Sequence, residues 1–146
     1  MSNLKALLLP EIEQGFQIKA YENDLFGWDY PLKYQDVTRF QYVYLSEYKD
    51  ERRQRDYIFI RSFVCEHKPG LDLAGLLREA EYGFMSMICL KPYTTKDGIK
   101  TEAVYSQCML PLDAVQNNKS LFLDVVHEIA SNADYIEKKF FGGDTV

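Results

Sequence analysis

Histidine occurs only twice in the 146 residues, at His67 and His127, and cysteine three times, at Cys65, Cys89 and Cys108. So few imidazoles exclude the usual histidine-rich metal sets. His127-Glu128 begins like the helix signature of zinc proteases, but Ser131 stands one turn later where a second ligand is needed, and one ligand does not hold zinc. His67, beside Lys68 and Pro69, reads as a turn residue. The cysteines form no Cys-x-x-Cys and each lies in an apolar run. They are expected to be small buried hydrophobes in a reducing compartment, without disulfides.

Glycine-rich phosphate loops and the Gly-x-Ser-x-Gly elbow are also missing, so neither a catalytic motif nor a cofactor is expected. Glu11 with Glu13, Glu79 with Glu81, and Asp124 with Glu128 read as solvated helix faces and not as acid–base pairs. No run approaches the ~20 apolar residues that span a bilayer. The apolar group Leu4 to Leu9 is stopped by Pro10 and Glu11, too soon for a signal peptide. A cytoplasmic protein without membrane contact is the expectation. Positive charge is in deficit as well, with 17 Lys and Arg against 22 Asp and Glu, and pI near 5.1. That balance argues against nucleic acid as a partner. The basic triplet Arg52, Arg53 and Arg55 lies among Lys49, Asp50, Glu51 and Asp56 and reads as a solvated loop. Asp144-Thr145-Val146 could enter a carboxylate pocket, but three terminal residues read more simply as a frayed end.

What is abundant is the aromatic ring: eleven Tyr and nine Phe, with one Trp, make 14% of the chain. Such residues favour pleated, half-buried surfaces and partner-facing patches. With 47% apolar and 27% charged residues, the chain reads as one globular domain over 1–146.

Periodicity gives the element order. Leu4, Leu7, Leu8 and Ile12 recur at helical spacing over Asn3 to Gln14, with Pro10 near the end and Gly15 as the stop. Phe16 to Tyr30 reads as one strand that bends at Gly27 and ends at Pro31. Arg39 to Tyr48 and Asp56 to Glu66 form a hairpin around the charged loop. Asp72 can cap a helix with the inward stripe Leu73, Leu76, Leu77 and Ala80, which Gly83 ends. Phe84 to Tyr93 and Lys100 to Leu110 make a second hairpin through Asp97-Gly98. Last comes a helix from Ser120, its candidate cap, to about Phe141 before Gly142-Gly143, with the stripe Phe122, Val126, Ile129, Ala133, Ile136 and Phe140. The expected class is α+β: helix, three strands, helix, two strands, helix, with an antiparallel sheet packed on the helices.

Alternation then assigns faces. Phe40, Tyr42 and Tyr44 lie opposite Val43 and Leu45; Tyr57, Phe59 and Phe63 lie opposite Ile58, Ile60 and Val64. In the second hairpin Phe84, Ile88 and Leu90 oppose Met85, Met87 and Cys89, while Val104, Cys108 and Leu110 oppose Ala103, Tyr105 and Met109. Neither face is polar, so something must cover the second one: a second copy, a client segment or the N-terminal helix folding over it, unless all three helices and the loops finish the burial.

The layout resembles type III secretion chaperones and the related YbjN-type proteins. Met109-Leu110-Pro111-Leu112-Asp113, then Leu123-Asp124-Val125-Val126 leading into Ala130-Ser131-Asn132-Ala133-Asp134-Tyr135, is similar to the final strand and helix of the YbjN branch. The stretch Gly27-Trp28-Asp29-Tyr30-Pro31 and the very aromatic first hairpin depart from that pattern. The resemblance implies a noncatalytic, chaperone-like or regulatory protein that binds a protein client or itself, commonly as a homodimer. The candidate contact residues are Phe40, Tyr42, Tyr44, Tyr57, Phe59 and Phe63. The alternative is a small enzyme whose site is assembled from scattered polar residues.

Overall fold

Two long aromatic strands, β3 (Thr38–Asp50) and β4 (Arg55–Glu66), form the centre of the computed structural model, which describes residues 2–141. Around them are α1 (Asn3–Glu13), β1 (Ile18–Ala20), β2 (Phe26–Lys33), α2 (Leu73–Glu79), β5 (Met87–Thr94), β6 (Lys100–Pro111), α3 (Leu112–Gln116) and α4 (Lys119–Phe141). Among the described residues the strands make one antiparallel sheet in the order β1-β2-β3-β4-β6-β5. The α+β class with a sheet packed on helices is as expected.

The strand count differs. Phe16 to Tyr30 is a hairpin, because Asn23 and Asp24 take positive φ (59° and 54°) and turn the chain between β1 and β2. Pro31 does not end β2 but lies inside it, paired with Phe40. β1 reaches only as far as Trp28, so Pro31 lies where β2 has become an edge, and its missing N–H leaves the ladder to β3 intact. β5 begins at Met87; Phe84, expected in that strand, precedes it and is 94% exposed.

The helices lie against one face of the sheet. The stripe of α4 falls on Val43, Leu45, Ile58, Ile60 and Cys108, with Phe122, Val126, Ile129 and Ala133 fully buried. Phe122, Val126 and Ile129 each contribute about 1.5–3 kcal/mol relative to exposure, and Ala133 less. The α4 cap is Asn118, whose Oδ1 accepts from the Leu121 N–H at 3.1 Å, so Ser120 lies inside the helix. Gly142 and Gly143, and the terminal Asp144-Thr145-Val146, lie outside the described residues. Helix α2 is turned from its expected stripe. Gly75, Leu76 and Glu79 face inward, and Leu77 is 63% exposed. A Cβ at Gly75 would come within 3.0 Å of the Phe140 ring, which is why α2 can approach α4 there.

Two carboxylates expected in solvent are buried fasteners. Glu11 pairs with Lys119 at 2.8 Å, tying α1 to the start of α4, and Glu79 pairs with Lys139. Glu128 accepts from the backbone N–H groups of Met85 and Ser86 at 2.8 and 2.5 Å, pinning the approach to β5. Cys65 and Cys108 are buried and all three thiols are free, but Cys89 is half-exposed, since it pairs with Tyr105 on the side away from the helices.

Candidate functional site

The register between β3 and β4 decides the site. Their ladder runs from Asp50 opposite Arg55 to Tyr44 opposite Arg61 and stops there. β4 continues alongside β6 to Glu66, while β3 continues back to Thr38 alongside β2. The centre of the sheet therefore forks. Side chains bridge the fork in place of the ladder: Gln41 Nε2 lies 3.0 Å from Ser62 Oγ and 3.1 Å from the Phe63 carbonyl, and Ser62 Oγ donates to the Tyr42 carbonyl at 2.7 Å. From α4, Glu137 accepts from Gln41 at 3.1 Å. One turn earlier, Asp134 accepts from Arg39 Nε at 2.9 Å and from the Tyr34 hydroxyl at 2.7 Å. Burial and that bond to Asp134 push the Tyr34 phenol up to about 12. Gln41, Ser62, Asp134 and Glu137 are all buried, and these bonds keep them from being isolated polar groups in a core.

On the face away from the helices, the fork opens into a cavity of about 370 Å³. Its walls are Phe40, Tyr42, Tyr44, Phe63, Tyr93 and Tyr105, and its polar lining is Asp29, Gln41, Arg61 and Glu137. The rings meet edge to face: Tyr42 and Tyr44 centroids are 5.0 Å apart, and Phe63 lies 5.2 Å from Tyr93 and 5.7 Å from Tyr105. Gly27 makes room for this wall, because a Cβ there would fall 2.2 Å from the Tyr42 hydroxyl. That hydroxyl reaches across to Tyr21 at 2.6 Å. Burial, followed by the bond to Tyr21, raises the Tyr42 phenol; burial also raises Tyr44 and Tyr105, so all three stay protonated at neutral pH.

All six expected contact residues lie on this uncovered face. The cavity gathers Phe40, Tyr42, Tyr44 and Phe63, whereas Tyr57 and Phe59 lie farther along β4 and are not in its lining. Phe40 is 54% exposed and the others are half-buried. Cations cover several rings: Arg61 lies over Tyr44 at 5.7 Å and over Phe59 at 5.1 Å, Lys91 over Phe59 at 4.2 Å, and Lys19 over Tyr21 at 5.0 Å. Sequence reasoning passed over Arg61, Tyr93, Gln41 and Glu137. The signal for Gln41 was present as a lone amide in an otherwise apolar strand.

The two histidines are not brought together. His127 meets the Tyr30 hydroxyl at 3.1 Å through Nδ1 on the helix side, and His67 follows the end of β4. Among the described residues no group of three or more His, Cys, Asp or Glu is placed to hold a metal ion, and no helix is long and apolar enough to cross a membrane. No family model, curated protein or solved structure matches the chain.

Proposed function

We propose that the protein is a noncatalytic protein-binding module, chaperone-like or regulatory, whose working surface is the uncovered face of the sheet and whose first partner is a second copy of itself. One observation carries the reading: the helices pack on a single face, leaving Phe40, Tyr42, Tyr44, Tyr57, Phe59 and Phe63 on the other. Aromatic rings are the usual anchors of protein contacts, each worth about 2 kcal/mol or more when buried by a partner. Charge favours self-pairing, since Asp29 stands on β2 and Arg61 and Lys91 on β4 and β5 of the same face. A two-fold axis would set the acid of each copy against the bases of the other.

The sheet edges suit this face better than strand addition. β1 has three residues and β5 carries Pro92, and both features blunt an edge. The enzyme reading draws on the two carboxylates in the cavity, Asp29 and Glu137, but Glu137 is already engaged by Gln41.

Light scattering coupled to size exclusion tests the proposal. The wild type is expected at twice the chain mass, and Tyr42→Asp and Tyr44→Asp at the single mass with an unchanged circular dichroism spectrum, because each sets a charge into the contact. A wild type at the single mass at every concentration reached overturns the reading.

A further inference from the structure

We infer that the cavity at the fork of the sheet is a binding site for a planar aromatic molecule bearing one anionic group, a carboxylate or a phosphate, with the ring between the aromatic walls and the charge at Arg61. The inference reaches beyond partner binding, and it shares the uncovered face with that reading.

Size and lining set the class. A volume of about 370 Å³ lies in the usual range for small-molecule pockets. It holds a molecule of one or two rings and not a length of chain. Six rings line it, and stacked or edge-on contact with a flat ligand is what such walls provide.

Charge sets the polarity. Among the lining charges, Glu137 is engaged by Gln41, whereas Asp29 and Arg61 make no ion pair among the described residues. Arg61 uses the faces of Tyr44 and Phe59 to support its guanidinium, and its N–H donors remain for a ligand. Tyr44 and Tyr105 each lie within electrostatic range of Arg61, so two phenolic groups flank one guanidinium. Burial holds Tyr44 and Tyr105 in their protonated, donating form. Asp29 stands apart on β2, near Tyr42.

An organic cation is the competing class, since aromatic cages commonly take one. Here the protein's own cation already occupies the Tyr44 face, and a second would meet Arg61. The cluster of donors needs an acceptor, and an anion supplies it with charge-assisted hydrogen bonds.

A series with one ring system and three charges tests the assignment by isothermal titration of the full chain: naphthoate, naphthylmethanol and naphthylmethylammonium. Adenosine monophosphate, run alongside, separates phosphate from carboxylate as the charged group. Naphthoate or the nucleotide is expected to bind, with the neutral and cationic compounds weaker. Arg61→Met should weaken the anion by about tenfold to a hundredfold, the equivalent of one charge-assisted pair. The same variant should leave naphthylmethanol unchanged, which a merely misfolded cavity would not. Lys96→Met, an exposed cation in the turn between β5 and β6 outside the cavity, should leave all affinities unchanged. Preference for the cation, an Arg61→Met loss shared equally by the neutral compound, or no binding by either anion overturns the inference. Light scattering of the same samples keeps the two readings separate: a dimer that binds no anion refutes the site alone, and a monomer that binds one refutes self-association alone.

Discussion

Replacing Gln41 with leucine tests the fork directly, because the two residues are of similar size and only the amide is lost. The two Nε2 hydrogens of Gln41 serve Ser62 Oγ, the Phe63 carbonyl and Glu137 Oε1, at 3.0, 3.1 and 3.1 Å, in a site that is 5% exposed. Ser62 keeps its own bond to the Tyr42 carbonyl, so the groups that suffer are the Phe63 carbonyl and the Glu137 carboxylate. A buried acceptor left without a donor costs about 1–3 kcal/mol, more if charged. The Phe63 carbonyl left without that donor costs about 1–3 kcal/mol. Glu137, which keeps a further interaction, loses one charged hydrogen bond of about 1.5–3 kcal/mol, and the apolar surface of leucine offsets about 1–2 kcal/mol of the total. The expected net loss is about 0.5–5 kcal/mol. Urea unfolding followed by the fluorescence of Trp28, the lone tryptophan and fully buried, measures it. Adding Glu137→Gln removes the charged acceptor, so the double variant should lose less than the sum of the singles by about 1 kcal/mol. A loss below about 0.5 kcal/mol for Gln41→Leu, the scale of an ordinary surface change, would refute the bridging role.

Ile129→Ala and Ile136→Ala empty core sites beneath α4 and should each destabilise by about 2–5 kcal/mol in the same urea assay. Stability should fall as pH rises above about 10, because Tyr30, Tyr34, Tyr42, Tyr44 and Tyr105 all have raised folded pKa values while the unfolded phenols ionise near the ordinary value. Their contribution is complete below the unfolded pKa and is lost as pH climbs through the folded ones. Absorbance titration of phenolate, native against urea-unfolded, should show the native curve displaced to higher pH. A disulfide reagent at mildly alkaline pH should modify Cys89 first. Cys65, buried and pushed up to about 11, and Cys108, also raised by burial, should react only after unfolding.

Periodicity made α4, the aromatic strands β3 and β4, and their two faces legible, because each depends on side chains repeating along one segment. What it missed depends on neighbours. Pro31 reads as a terminator until β1 is seen to end short of it, and Phe16 to Tyr30 reads as one strand because left-handed Asn23 and Asp24 carry no mark as clear as a glycine. Leu73 and Leu77 obey helical spacing, yet α2 is only seven residues long and turns Gly75 and Leu76 to the core. Glu11 and Glu79 look solvated until Lys119 and Lys139 arrive from α4, more than fifty residues downstream.

The candidate site divides along the same line. Four of its aromatic residues, Phe40, Tyr42, Tyr44 and Phe63, follow from alternation alone, since a face is a property of one strand. The fork is a property of two, and no single-strand pattern announces where β3 and β4 stop pairing. Gln41 is the nearest thing to a mark, for an amide at an inward position of an apolar strand must find partners. It finds Ser62, Phe63 and Glu137. Those bonds bridge the gap in place of the ladder the strands give up. With its floor satisfied, the cavity keeps Arg61 and Asp29 as charges that make no ion pair among the described residues. The same amide that stabilises the fork thereby leaves the guanidinium on the open face as the group that a ligand or a second copy would meet.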